Sequence, residues 1–153
     1  MRTSRALTMF VTALAFGVAC NDDSTGIPSG VEIYTAQLNG ANEAPTPVTT
    51  TATGHAVVTV LGNLVSWKVD IDTPIDSVNA GHIHRHAADS VAGNVRVNFN
   101  LTLGGPDFSG TLTTGSSVVA DSILTIMREG RAYVNIHTQL NPGGEIRGTL
   151  VKQ

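Results

Sequence analysis

From residue 31 onward, apolar and polar residues alternate in short runs separated by turn-forming residues. A period of two over such runs predicts half-buried β-strands. The runs place strands at 31–39, 55–61, 64–72, 77–85, 94–103, 107–113, 131–138 and 145–151. Between them lie Gly62-Asn63, Thr73-Pro74, Gly104-Gly105-Pro106 and Asn141-Pro142-Gly143-Gly144 as turn signals. In the last, Pro142 supplies the fixed φ of a second turn position and Gly143 the positive φ of a type II third position. Residues 119–129, VADSILTIMRE, break the alternation. There Ser122 is placed to cap a short helix near 120–129, with Ile123, Ile126 and Met127 on one side and Gly130 closing it; a strand fits the stretch nearly as well. Many short strands without alternating long helices predict an all-β fold, an antiparallel Greek-key β-sandwich or barrel.

The same parity sorts the chemistry. In AYVNIHT, Val134 and Ile136 share one face, and Tyr133, Asn135 and His137 the other. In GHIHRH, Ile83 opposes His82 and His84. If the three aliphatic residues are core, worth roughly 1.5–3 kcal/mol each on burial, then His82, His84 and His137 all leave from the outer face. Histidines two apart on a strand stand roughly 6.5–7 Å apart along the backbone, and both can lean onto one ion. The three are therefore candidate metal ligands, with His86 and His55 as candidate additions and Asp89 as a nearby carboxylate. Neutral imidazoles without a thiolate suit copper or zinc. The competing structural reading has His82 and His137 bonding turn backbone or Glu145 in a polar cluster. Glu145 and Arg147 share the outward parity of their strand, and Glu145 and Asn135 are candidates for orienting a histidine ring from behind.

Composition narrows the setting. The chain has 153 residues and five histidines, enough for one domain, with low charge and few aromatics. Arg2 and Arg5 precede an apolar run at 6–19, ALTMFVTALAFGVA, too short to span a bilayer and suited to the core of an export signal. GVAC resembles a bacterial lipobox, which implies a lipoprotein signal peptide at 1–19, cleavage before Cys20 and acylation of that single cysteine. Residues 20–30 then form a lipidated cysteine and flexible tether, and residues 31–153 the folded domain. Asn21 after the cysteine favours the outer membrane, so the expected place is the bacterial cell envelope, held to the membrane by lipid. Without Arg2 and Arg5, seven basic residues face twelve acidic ones, a balance of −5 that excludes nucleic acid as a partner.

Three segments, LNGANEAPTPVTTTATGHAVVTV, AGHIHRHAADSVAGNVRV and AYVNIHTQLNPGGEIRGTL, together resemble the CHRD domain, named for its occurrence in chordin, from about residue 32 to 152. Arg85 stands where that family usually has Gly after His-Ile-His, and His86 follows it. The resemblance implies an extracellular β-domain without an agreed enzymatic activity. The expected function is thus a non-catalytic binding or structural module contacting a protein, an envelope polymer or a metal. A weaker likeness to copper-zinc superoxide dismutase rests on the His-x-His strand and a distant histidine; it offers a copper-dependent oxidoreductase as the alternative, with metal sequestration as a third. Against the dismutase reading, the chain lacks a second-metal loop and a cysteine pair. Asn100-Leu101-Thr102 is an incidental glycosylation match, no nucleophile elbow or calcium loop occurs, and Trp67 is assigned to the core.

Overall fold

The computed structural model describes residues 28–86, 93–101 and 105–153. Cys20 and Asp89, with the predicted signal and most of the tether, lie outside the described residues. The strands are β1 (Val31–Asn39), β2 (Thr53–Leu61), β3 (Leu64–Ile75), β4 (Val78–Arg85), β5 (Val95–Asn98), β6 (Phe108–Val118), β7 (Ala132–Thr138), β8 (Ile146–Thr149) and β9 (Val151–Lys152). A 3₁₀ turn at Gly40–Asn42 follows β1, and the helix α1 spans Asp121–Arg128. Among the described residues no helix is long and apolar enough to cross a membrane.

One antiparallel sheet runs in the order β5-β4-β7-β8-β1-β2-β3-β6, with β9 beside β1. It curls until its two ends nearly meet. Trp67 of β3 packs on Phe99 just past β5, ring centroids 5.1 Å apart. Thr113 of β6 donates its hydroxyl to the Asn100 carbonyl at 2.8 Å. The fold is therefore all-β and barrel-like, as the alternation predicts. Inward residues such as Tyr34, Leu38, Val58, Val65, Trp67, Ile83, Leu112, Val134, Ile136 and Ile146 fill its interior. Leu124 and Met127 of α1 add to it, and Arg128 fastens the helix to β1 through Glu32 at 2.6 Å.

Several local expectations are corrected. Ser122 is not the cap: Ala120 precedes the helix with no side-chain cap bond, and Asp121 supplies the first-turn negative charge. The buried helical face is Leu124 and Met127, with Ile123 and Ile126 only partly covered. β5 stops at Asn98, well short of 103, whereas β6 continues through Thr-Thr-Gly-Ser-Ser to Val118, because β3 offers it a full ladder. Thr73-Pro74 lies within the irregular end of β3. In the 141–144 turn the Gly144 amide donates to the Asn141 carbonyl at 3.0 Å. Gly144, at φ +136°, and not Gly143, carries the positive dihedral.

Candidate metal centre

The alternation of β4 and β7 brings the histidines together by register. His82 lies opposite Asn135, His84 opposite Tyr133 and Ile83 opposite Val134. His137 is two residues beyond Asn135, hence the diagonal neighbour of His82, within reach for a ring. Ring centroids stand 4.9 Å apart for His82–His137, 5.2 Å for His82–His84 and 5.7 Å for His84–His137. One ligand nitrogen from each ring lies within 4.8 Å of the other two.

Sidedness follows the predicted parity, but exposure does not. His84 and His137 are each only 8% exposed, and all seven residues of β7 are buried. The face away from the aliphatic interior is a second, polar interior. Asn42 of the 3₁₀ turn donates to the Arg147 carbonyl at 3.1 Å. Asn135 reaches Glu43 across 92 positions of sequence. Arg147, expected at the surface, is 4% exposed, with its guanidinium carbon 3.6 Å from the centre of the Tyr133 ring. Tyr133 also stacks on His84, centroids 5.0 Å apart and planes 10° off parallel. Since β7 lies between β4 and β8, Tyr133 sits between imidazole and guanidinium, braced by a cation–π contact.

Backbone carbonyls orient two of the rings. His84 Nδ1 lies 2.8 Å from the Gly93 carbonyl and His137 Nδ1 3.0 Å from that of Pro142. A carbonyl only accepts, so each Nδ1 carries its proton and donates. Each Nε2 then presents a lone pair. That of His84 is buried without a hydrogen-bond partner. That of His137 accepts from His82 Nδ1 at 3.1 Å, a proton that a bound metal ion would displace; the spacing is close to the roughly 3.3–3.4 Å edge of a tetrahedron with bonds of 2.0–2.1 Å. The 4.8 Å limit of the triad exceeds that edge, so a ring has to turn inward on binding.

Burial pushes all three imidazoles below the usual histidine range. His82 falls to about 4, with His137 and His84 adding to the effect. For His84 and His137, burial outweighs the carbonyl bonds that favour the charged form. The rings are therefore neutral at neutral pH, the form that binds metals. His82, half-buried, lines a cleft of about 510 Å³ with Asn79, Asn98, Phe99 and Asn100. Of the three rings only that of His82 borders this cleft, so solvent-borne ligands reach the cluster from its His82 side.

The other candidates fall elsewhere. His55 lies on β2, its Nδ1 2.9 Å from Asp72 and its Nε2 3.4 Å from Asp70. Two strands, β8 and β1, separate it from β7, too far to join the cluster. His86 adjoins the triad without entering it: Arg147 Nη2 donates to its Nδ1 at 3.0 Å, and it packs on Tyr133. Glu145 is also corrected. Its carboxylate, 8% exposed, accepts from Thr50 at 2.8 Å, Thr138 at 2.7 Å and Asn141 at 3.0 Å. Burial alone would raise its pKa, but these bonds hold it below the usual carboxylate value. It ties the turn to β7 and orients no ring. Asn135 bonds Glu43 and the Gly143 carbonyl, again not a histidine. Orientation comes instead from Gly93 and Pro142. Glu43 and Tyr133 escaped the sequence reading, although Tyr133 has the parity of His137.

A sequence model of the CHRD domain matches residues 34–150. No curated protein and no solved structure matches the chain.

Proposed function

The chain belongs to the CHRD family, and from that premise we propose that it is a non-catalytic binding module holding one copper or zinc ion through His82, His84 and His137. The observation that carries this reading is the partnerless, buried Nε2 of His84, set beside two further imidazoles. An unpaired buried acceptor costs roughly 1–3 kcal/mol, and a metal ion removes that cost. Neutral imidazoles alone select borderline divalent ions over calcium or magnesium, which prefer oxygen. The cleft at His82 leaves room for a water or a partner's side chain as fourth ligand.

The test is metal analysis of the purified protein after loading and dialysis. One equivalent of copper or zinc is expected in the wild type and only trace metal in a His82→Ala, His84→Ala, His137→Ala variant. Equal trace amounts in both leave only a structural cluster. Copper-loaded protein that dismutes superoxide faster than the triple variant replaces the non-catalytic reading with the oxidoreductase one.

We further place the module in the bacterial cell envelope, lipid-anchored through Cys20 at the outer membrane, where a protein or envelope polymer is its partner. Support comes from the apolar run at 6–19 and the small residues before Cys20. A Cys20→Ala variant should leave the membrane fraction for the soluble one; unchanged fractionation removes the anchor.

A further inference from the structure

A second cleft, of about 360 Å³, lies between residues 43–48 and the 140–144 turn. Its walls are mainly apolar, with Pro45, Val48, Pro142 and the 84%-exposed Leu140 among them. Glu43, 5% exposed, contributes the acidic group. Oε2 of Glu43 accepts from Asn135 at 3.4 Å, while Oε1 is buried without a partner. Asn135 Oδ1 is likewise buried and partnerless. Both oxygens crowd against Gly144: a Cβ there would lie 2.7 Å from Glu43 Oε1 and 2.6 Å from Asn135 Oδ1. The Asn135 Nδ2 donor crowds the same point but is turned to Glu43 Oε2 and the Gly143 carbonyl, so the two oxygens that flank it keep no partner. Burial raises the Glu43 carboxyl to about 7, while Arg147, Asn135 and the Ala44 backbone amide pull it down and Glu145 pushes it up.

A fold does not gain from a buried carboxyl left half-bonded, and such a group in a cleft marks a place for a donor. The surroundings select the donor. Calcium needs six to eight oxygens, whereas apolar walls supply few. A guanidinium grips both oxygens of a carboxylate, but here one is taken by Asn135. An ammonium is compact, donates three bonds and carries an apolar stem that suits these walls.

We propose that this cleft binds a primary alkylammonium group, from a lysine side chain or a free amine, with Glu43 as its counter-ion and Leu140 and Pro142 against its stem. None of the three histidines lines this cleft, which shares Pro142 with their surroundings, and the proposal stands whether or not the cluster holds metal.

The test is titration of the metal-free protein, in excess chelator, with n-butylammonium while backbone amides are followed by NMR. Saturable shifts are expected at Ala44, Gly143 and Gly144. The isosteric Glu43→Gln variant should weaken binding by about 10–100-fold, as loss of a charged hydrogen-bond partner does. Leu140→Ala, a change at an exposed position, should weaken it about threefold through the stem. An acetylated Gly-Lys-Gly amide binding more tightly than putrescine assigns a lysine of a partner protein; the reverse order assigns a free amine. Absence of binding, equal affinity for n-butanol, unchanged affinity in both variants, or shifts centred elsewhere overturn the proposal.

Discussion

Zinc at a hundred to a thousand times its dissociation constant is expected to raise the melting temperature of the wild-type chain by about 10–15 °C and to leave His137→Ala unmoved. A ligand that binds only the folded state adds roughly 2.7–4.1 kcal/mol at such excess, and each kcal/mol moves a domain of this size by about 3–5 °C. His137 is the test position because its Nε2 faces His82 while its Nδ1 is committed to Pro142. Without it, two imidazoles of β4 remain on one strand and the chelate is lost. The pH profile adds a second reading. Protons compete with metal for the same lone pairs. With His82 near 4 and the others below the ordinary value, uptake should persist below pH of about 6.5, where exposed histidines already protonate, and fail toward pH 4. The metal-free fold obeys the same shifts. Below pH of about 6.5 the unfolded chain takes up protons that the folded chain refuses. The histidine contribution to stability is thus complete above that pH and declines as pH falls toward the folded value of His82. A zinc increment that survives in His137→Ala refutes coordination by this triad.

The other large effect is structural. Gly148→Ala should lower stability by about 3 kcal/mol or more, enough to deplete the folded state at 37 °C if the domain has the usual margin of 5–15 kcal/mol. An added Cβ there meets the Gln37 carbonyl oxygen, with Leu38 Cδ2 2.9 Å away. The carbonyl belongs to β1 and cannot step aside without disturbing its ladders, in which Gln37 pairs with His55 and Asn39 with Arg147. The control is Gly143→Ala, where an added Cβ meets nothing within 4 Å. Urea titration followed by circular dichroism measures both; equal midpoints for the two variants would show that β8 and β1 are not so tightly apposed.

Period-two alternation was enough to place most strands and to give His82, His84 and His137 a common side, because a strand's side-chain period leaves no other choice. It was not enough to show that this side is closed. Tyr133, Asn135, Glu145 and Arg147 are polar and so resemble a wet surface in any local window. Their cover comes from afar: Glu43 from 92 residues away, Thr50 from 95 and Asn42 from 105. Such pairings leave no periodic trace. The end of β6 was hidden for a related reason, since Gly115 and the serines beside it resemble a turn until β3 supplies partners. Ser122 was chosen as cap by residue type, whereas the helix begins two positions earlier than that choice requires.

β7 has water on neither side. An ordinary strand lets every second position drift, since a solvated side chain is constrained by little more than solubility. Here Ala132, Val134 and Ile136 answer to the barrel interior, Tyr133, Asn135 and His137 to the polar layer, and Thr138 to Glu145 and the turn, so drift has nowhere to start. Remote kin that have lost all other likeness should still betray themselves in this seven-residue window.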